Sequence, residues 1–175
     1  MFLDLGSRAA IKQALLRCFR KRELVRVARG IYVVPVVGRF GSRAPSAHLL
    51  IEELSKQRGE VIVPSGATSA NALGLTTQMP VHMVFWTSGR SRELNLGKLL
   101  LHLSHVPSWQ LALATEPAGE IVRALAWAGP LRVHAVLKEI EVKVPRSELK
   151  RVALQSPRFP GWLASALIRS VGSYR

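Results

Sequence analysis

The junction between a short amphipathic helix and a β-rich run near the amino terminus constrains the fold of this chain most. Ser7 is typical of a helix N-cap, and apolar residues follow it at helical spacing: Ile11, Ala14, Leu15, Cys18 and Phe19. The opposite face and its flank carry basic and amide side chains: Arg8, Lys12, Gln13, Arg17 and Arg20. The pattern predicts a helix that ends near Arg22, with a buried apolar seam and a basic outer face.

The β-rich run follows the helix at once. Residues 24–35 are LVRVARGIYVVP, in which two β-rich runs flank Gly30. Glycine can adopt positive φ, so the run predicts a hairpin with Arg26 and Arg29 on it or at its tip. A helix followed directly by a basic hairpin is the sequence arrangement of a winged helix. A generic helix–hairpin corner is the alternative interpretation.

The net charge is the second strong feature. The chain has 25 Lys and Arg against 11 Asp and Glu, a net charge of +14. Residues 1–44 hold ten of the basic and two of the acidic residues, a net charge of +8, against +6 for the remaining 131 residues. Such an excess predicts a polyanionic partner: DNA, RNA or an anionic membrane surface. A basic protein without a specific polyanion remains the alternative.

Several classes of function lack the residues that they need. Asp4 is the one aspartate, so the clustered carboxylates of a two-metal enzyme are hard to assemble. Cys18 is the one cysteine, which excludes an internal disulfide and a cysteine zinc site. No stretch has the length of a membrane span or the pattern of a signal peptide. We therefore expect a cytoplasmic protein that is not an enzyme and has no catalytic residues, metal or cofactor.

The rest of the chain predicts an α+β fold. Helical patterns occupy residues 47–57, 68–73, 117–128, 147–154 and 162–171. Short apolar or alternating runs predict strands at residues 60–63, 81–87, 98–105 and 139–144. Residues 37–45 are rich in turn-forming residues and predict a linker. Arg90 and Arg92 flank a predicted turn, and we expect both to be exposed as secondary contacts for phosphate or a partner.

The order of these segments resembles a known family. The resemblance depends on residues 2–22 leading into residues 24–35, and on four later stretches: 61–80 (VIVPSGATSANALGLTTQMP), 87–97 (TSGRSRELNLG), 117–129 (PAGEIVRALAWAG) and 159–167 (FPGWLASAL). The sequence is similar to the AbiEi-type antitoxins of type IV toxin–antitoxin, or abortive infection, systems. The similarity covers nearly the whole chain, and its middle stretch is the most specific.

The resemblance implies a fold and a function. Residues 1–36 would form a winged helix-turn-helix, residues 37–45 a linker, and residues 46–175 a C-terminal mixed α/β antitoxin domain. The protein would repress its own operon as a transcriptional regulator and counter a nucleotidyltransferase-like toxin. Its partner would be double-stranded DNA of its own promoter, with inverted repeats bound by a homodimer. The DNA-binding positions would be Ser7, Arg8, Lys12, Gln13 and Arg17 on the helix, with Arg26 and Arg29 on the wing.

The sequence departs from the family pattern at its start. Family members have a further helix ahead of the segment that begins at Phe2, so the first helix of the helix-turn-helix is expected to be missing. Part of the stripe formed by Ile11, Leu15 and Phe19 would then be uncovered. The alternative function is therefore a protein-binding antitoxin module with a truncated, non-functional DNA-binding domain. RNA binding is less favoured, because Tyr32 is the main candidate in the basic region for stacking on a base.

Overall fold

The chain forms a mixed α+β structure of six helices and eight strands within the described residues. The computed structural model describes residues 6–39, 41–78, 82–97 and 99–172. The first elements are α1 (Arg8–Arg20), β1 (Val25–Ala28), β2 (Ile31–Val33), β3 (Val36–Gly38), β4 (Gly41–Arg43), α2 (Ala47–Arg58), β5 (Ile62–Pro64) and α3 (Gly66–Ala72). They are followed by β6 (Met83–Thr87), β7 (Arg92–Leu96), β8 (Leu99–His105), α4 (Pro117–Lys143), α5 (Arg146–Leu154) and α6 (Gly161–Gly172). The predicted α+β class is thus confirmed.

Helix α1 begins where the sequence predicts and lies on the surface. The Ser7 hydroxyl oxygen accepts a hydrogen bond from the Ala10 backbone N–H at 3.3 Å, which is the predicted N-cap. No residue of α1 is fully buried, and Phe19 on the apolar stripe is 41% exposed. The predicted buried seam is therefore only partly covered.

The hairpin that follows α1 is confirmed. Strands β1 and β2 pair antiparallel, and Gly30 in the turn between them has φ of 77°. Val27 on β1 is 2% exposed and belongs to the hydrophobic core. The hairpin is thus anchored by Val27, and Ala28, Ile31 and Val33 pack against the same core cluster.

A four-stranded sheet supports this hairpin. Its strand order is β5-β6-β8-β7, with β6 and β8 parallel and the other two pairs antiparallel. Buried residues from β1, α2 and the sheet share one core cluster, including Val27, Leu50, Leu54, Leu94 and Leu101. The hairpin therefore shares its core with elements of the predicted C-terminal unit. The division at residues 37–45 stays a prediction.

The predicted linker contains regular structure. Strands β3 and β4 begin at Val36 and lie otherwise within the predicted linker. They pair antiparallel, with Val36 opposite Arg43 and Gly38 opposite Gly41. Position 40 lies outside the described residues, as do positions 81 and 98 of two predicted strands. The sequence did not predict these two strands, because a short ribbon rich in glycine and serine has little alternation of apolar and polar residues.

The C-terminal part is a packed group of three helices. Helix α4 is interrupted at Gly129, which has φ of 70° and precedes Pro130. Ile121, Val122 and Leu125 are buried as predicted, and they share a core cluster with residues of α5 and α6. The strand predicted at residues 139–144 is wrong, because α4 continues to Lys143. None of the helices in the described ranges is both long enough and apolar enough to cross a lipid bilayer.

Candidate nucleic-acid interface

The outer face of α1 carries the helix residues proposed to bind DNA. Ser7, Arg8, Lys12, Gln13 and Arg17 are all exposed. Residues four apart lie above one another on a helix, so Arg8 with Lys12 and Gln13 with Arg17 form two rows. The Ser7 hydroxyl accepts the capping hydrogen bond and keeps its proton, which it can donate to an anion. The face thus offers cationic donors beside one amide group.

The hairpin β1–β2 adds two exposed arginines to this region. Arg26 pairs with Tyr32 across the strands, and its side chain is exposed because its neighbour Val27 fills the core. Arg29 is exposed in the turn beside Gly30. Both guanidinium groups follow α1 closely along the chain, because β1 begins five residues after α1 ends.

Helix α1 and the hairpin border a common groove. The groove has a volume of about 600 Å³, and its lining includes Leu15 of α1, Gly30 and Tyr32 of the hairpin, and Leu54 of α2. Leu15 lies on the apolar stripe, so the stripe is directed toward the groove. The opposite side of α1, with Gln13 and Arg17, is directed to solvent.

The positive charge of this region is not neutralised by acids nearby in the sequence. Residues 24–51 contain four arginines and no acidic residue. The ion pairs found within the described ranges all involve cations other than the candidate residues of α1 and β1–β2. Exposed, unpaired guanidinium groups are the usual donors to nucleic-acid phosphates.

A comparison with protein families places the chain in one of them. The model of a family of unknown function, DUF6088, matches residues 1–152. The chain belongs to the DUF6088 family. The match includes every candidate contact named above and ends within α5. No curated protein and no solved structure matches this DUF6088 protein.

Arg92 of the DUF6088 protein is not free to bind a partner as predicted. One of its terminal nitrogens lies 2.6 Å from Glu60 Oε2, and the other donates to the Arg90 carbonyl oxygen at 3.0 Å. The side chains of Arg92 and Glu60 are each 17% exposed. The expectation of an exposed Arg92 is therefore wrong, whereas Arg90 is exposed as predicted. Its proposed contact with phosphate or a partner stays a prediction.

The Glu60 carboxylate organises the turn after β6. Thr87 donates its hydroxyl to Glu60 at 3.4 Å and accepts the Gly89 N–H at 3.0 Å. His105 Nδ1 lies 2.8 Å from the Gly89 carbonyl oxygen, to which it donates when it carries the proton. This network fixes the turn between β6 and β7.

Two histidines of the DUF6088 protein, His82 and His102, lie close together at the four-stranded sheet. His102 Nδ1 lies 3.1 Å from Glu93 Oε1, and its ring contacts the His82 ring edge-on at 5.5 Å between centroids. Within the described ranges, no three His, Cys, Asp or Glu side chains come together as metal ligands would.

One buried cation was not found by sequence analysis. Arg123 on α4 is 2% exposed, and its Nε donates to the Ser69 hydroxyl of α3 at 3.0 Å. Burial lowers the pKa of the Arg123 guanidinium. No sequence pattern distinguishes this arginine from the exposed ones. It contributes to the contact between α3 and α4, which is remote in sequence from the candidate interface.

Proposed function

We propose that this DUF6088 protein is a DNA-binding transcriptional repressor and the antitoxin of a type IV toxin–antitoxin system. In this proposal α1 and the hairpin β1–β2 form a winged helix-turn-helix that binds the operator of its own operon. One observation carries the proposal: the five candidate cations of α1 and the adjoining hairpin are exposed and have no acidic partner among the described residues.

The charges and the amide group have separate roles. Arg8, Lys12 and Arg17 on α1 bind phosphates or, for the arginines, the edge of a guanine. Arg26 and Arg29 on the hairpin bind the flanking backbone, as the wing of a winged helix does. Release of counterions from the neutralised phosphates supplies most of the affinity. Two chains bound to an inverted repeat would match the twofold symmetry of such an operator.

The antitoxin role comes from the resemblance to AbiEi-type proteins. The elements from α2 to α6 would form the antitoxin domain, and the toxin would be a nucleotidyltransferase-like protein. Control of the shared operon links the two roles, because repression limits synthesis of the toxin. The protein would be cytoplasmic and would use neither a cofactor nor catalysis.

A second candidate function has one observation in its favour. Helix α1 contains no fully buried residue, and its apolar stripe is partly exposed. Such a helix can bind a protein through the stripe and leave DNA unbound. In this alternative the chain is a protein-binding antitoxin module with a non-functional DNA-binding domain.

Substitution of Gln13 tests the proposal against this alternative. Gln13 presents a donor and an acceptor side by side, which matches the N6 and N7 atoms of adenine. We expect Gln13→Ala to weaken binding to the promoter of the protein's own operon by about 1–3 kcal/mol, with little change on a shuffled duplex. Gel-shift titration of both duplexes with wild type and variant measures this difference.

The same titration contains its own control. Gln78→Ala removes an exposed glutamine after α3, outside the groove that α1 and the hairpin border, and should leave both affinities unchanged. Equal weakening on the two duplexes by Gln13→Ala would exclude base recognition by Gln13. Failure of the wild type to bind either duplex would favour the protein-binding alternative, whereas equal affinity for both would exclude recognition of an operator.

A further inference from the structure

We infer that the hairpin β3–β4 is a second DNA-binding arm, which contacts the duplex beside the segment bound by α1 and β1–β2. The inference rests on the proposed function and extends it to a part of the chain for which the sequence predicted a linker. The arm is defined as Val36–Gly38 and Gly41–Arg43.

The arm is not explained by packing. All six of its residues are exposed, and Val37 is 81% exposed. Within the described residues, its strands make extensive contact only with each other. An isolated two-stranded hairpin is marginally stable in water. A two-stranded ribbon that lacks core contacts is expected when the ribbon gains its stability from a bound partner.

The distribution of side chains favours DNA over a protein as that partner. Residues directly opposite each other share one face of an antiparallel pair. Val36 therefore shares a face with Arg43, and Val37 shares the other face with Ser42. The two valines lie on opposite faces, so neither face is the continuous apolar patch that a protein interface requires.

The charge of the arm matches a phosphate backbone. Arg39 and Arg43 are exposed, and their side chains form no ion pair or hydrogen bond within the described ranges. Arginine is the usual side chain with which slender elements bind phosphates and the minor groove. Arg43 on the arm and Arg39 directly after its first strand thus provide two free guanidinium groups within the acid-free residues 24–51.

The shape of the arm suits a groove. Gly38 and Gly41 pair across the ribbon near its tip, so no side chain widens it there. Gly41 has φ of 98°, a conformation that other residues rarely adopt. Strand pairs of this kind enter DNA grooves in several architectures.

The arm also lies within reach of the same duplex. Strand β3 begins three residues after β2 ends, a step that spans at most about 11 Å. A protein that holds DNA through α1 and β1–β2 therefore brings the arm close to neighbouring phosphates. The position of the arm along the chain predicts a longer contact with DNA than a winged helix alone would make.

A double variant on two duplex lengths tests the arm. The variant is Arg39→Ala with Arg43→Ala, and the control is Lys138→Ala with Lys150→Ala, two exposed cations of α4 and α5. Hydroxyl-radical footprinting of the arm variant on the promoter defines the short duplex, which contains only the protected segment. The longer duplex extends this segment by about one helical turn at each end. Fluorescence anisotropy gives affinity and salt slope for each protein.

The expected result is specific to the longer duplex. We expect the arm variant to lose about 10-fold to 100-fold in affinity for it and to lower the log–log salt slope by about 2, with no loss on the short duplex. If the arm variant bound the longer duplex with the affinity and salt slope of the wild type, the inference would be overturned and the proposed function would stand. If sedimentation showed that the arm variant has a different oligomeric state from the wild type, with an unchanged salt slope per chain, the inference would be overturned in favour of contact between copies of the chain. If the wild type bound neither duplex, the proposed function itself would fail.

Discussion

Replacing Arg8, Lys12 and Arg17 of α1 by alanine is expected to weaken promoter binding by about 1000-fold. Each substitution removes a charged hydrogen bond to DNA, worth about 1.5 kcal/mol, and such a loss is close to tenfold in the dissociation constant. All three side chains are exposed, so the fold should remain intact and the far-ultraviolet circular dichroism should not change. Anisotropy titration at constant ionic strength measures the effect.

A matched variant separates a site effect from bulk charge. Alanine at Lys138, Lys150 and Arg158 removes the same charge from exposed positions in the C-terminal part. We expect this control to change affinity by less than about threefold, because exposed charges more than a Debye length from the DNA are largely screened. Equal losses for the two triple variants would mean that net charge alone, and no particular surface, determines binding.

Gly66→Ala is expected to destabilise the protein strongly, because Gly66 is buried in the first turn of α3. A Cβ at Gly66 would lie 2.5 Å from the Arg123 carbonyl oxygen, 2.5 Å from Trp86 Cη2 and 2.7 Å from Trp127 Cβ. Two of these atoms belong to or adjoin the α4 backbone, so they cannot move without separating α3 from α4. We expect a loss of about 3 kcal/mol in the free energy of unfolding, which corresponds to a fall of about 6–12 °C in Tm.

Gly161→Ala is the matched control for this change. A Cβ at Gly161 would meet no atom within 4 Å, and Gly161 lies at the start of α6 without a positive φ. Alanine is a better helix former than glycine, so Tm should stay the same or rise slightly. A Tm of Gly66→Ala within about 2 °C of the wild type, less than the shift expected for 1 kcal/mol, would contradict the described packing of α3 on α4.

Local chemistry in the sequence was enough to predict α1 and its hairpin. Ser7 can cap a helix through its own hydroxyl, and Gly30 can take positive φ without strain, so neighbouring residues determine both features. The burial of Ile121 and Leu125 also followed from helical spacing alone. The exposure of the cationic face of α1 could be predicted for the same reason.

The second half of α4 shows why periodicity fails for short runs. Ile140, Val142 and Val144 alternate as a strand would, yet Val142 is 88% exposed and supplies no burial. Val136, Leu137 and Ile140 lie on one helical face and are buried against α5 and α6. The helical pattern prevails because only that face finds a partner in the fold.

Contacts between distant residues could not be predicted from the sequence. Arg92 pairs with Glu60, 32 positions earlier, although β5 and β7 are the two edge strands of the sheet. Strand β7 itself was missed, although the buried Leu94 and Leu96 alternate with the exposed Glu93 and Asn95 as in a half-buried strand. The contact between Arg92 and Glu60 depends on the arrangement of strands in the sheet, which a single sequence does not contain. Strand β7 pairs with β8, the next strand along the chain.

The salt dependence of binding to the short promoter duplex tests the central claim most directly. If the five cations of α1 and β1–β2 neutralise about five phosphates, the logarithm of the association constant should fall with the logarithm of salt concentration at a slope of about −4 to −5 per chain. The triple alanine variant of α1 should reduce that slope by about 3. A slope near zero for the wild type, or an unchanged slope for the variant, would contradict a cationic DNA-binding surface at α1 and its hairpin.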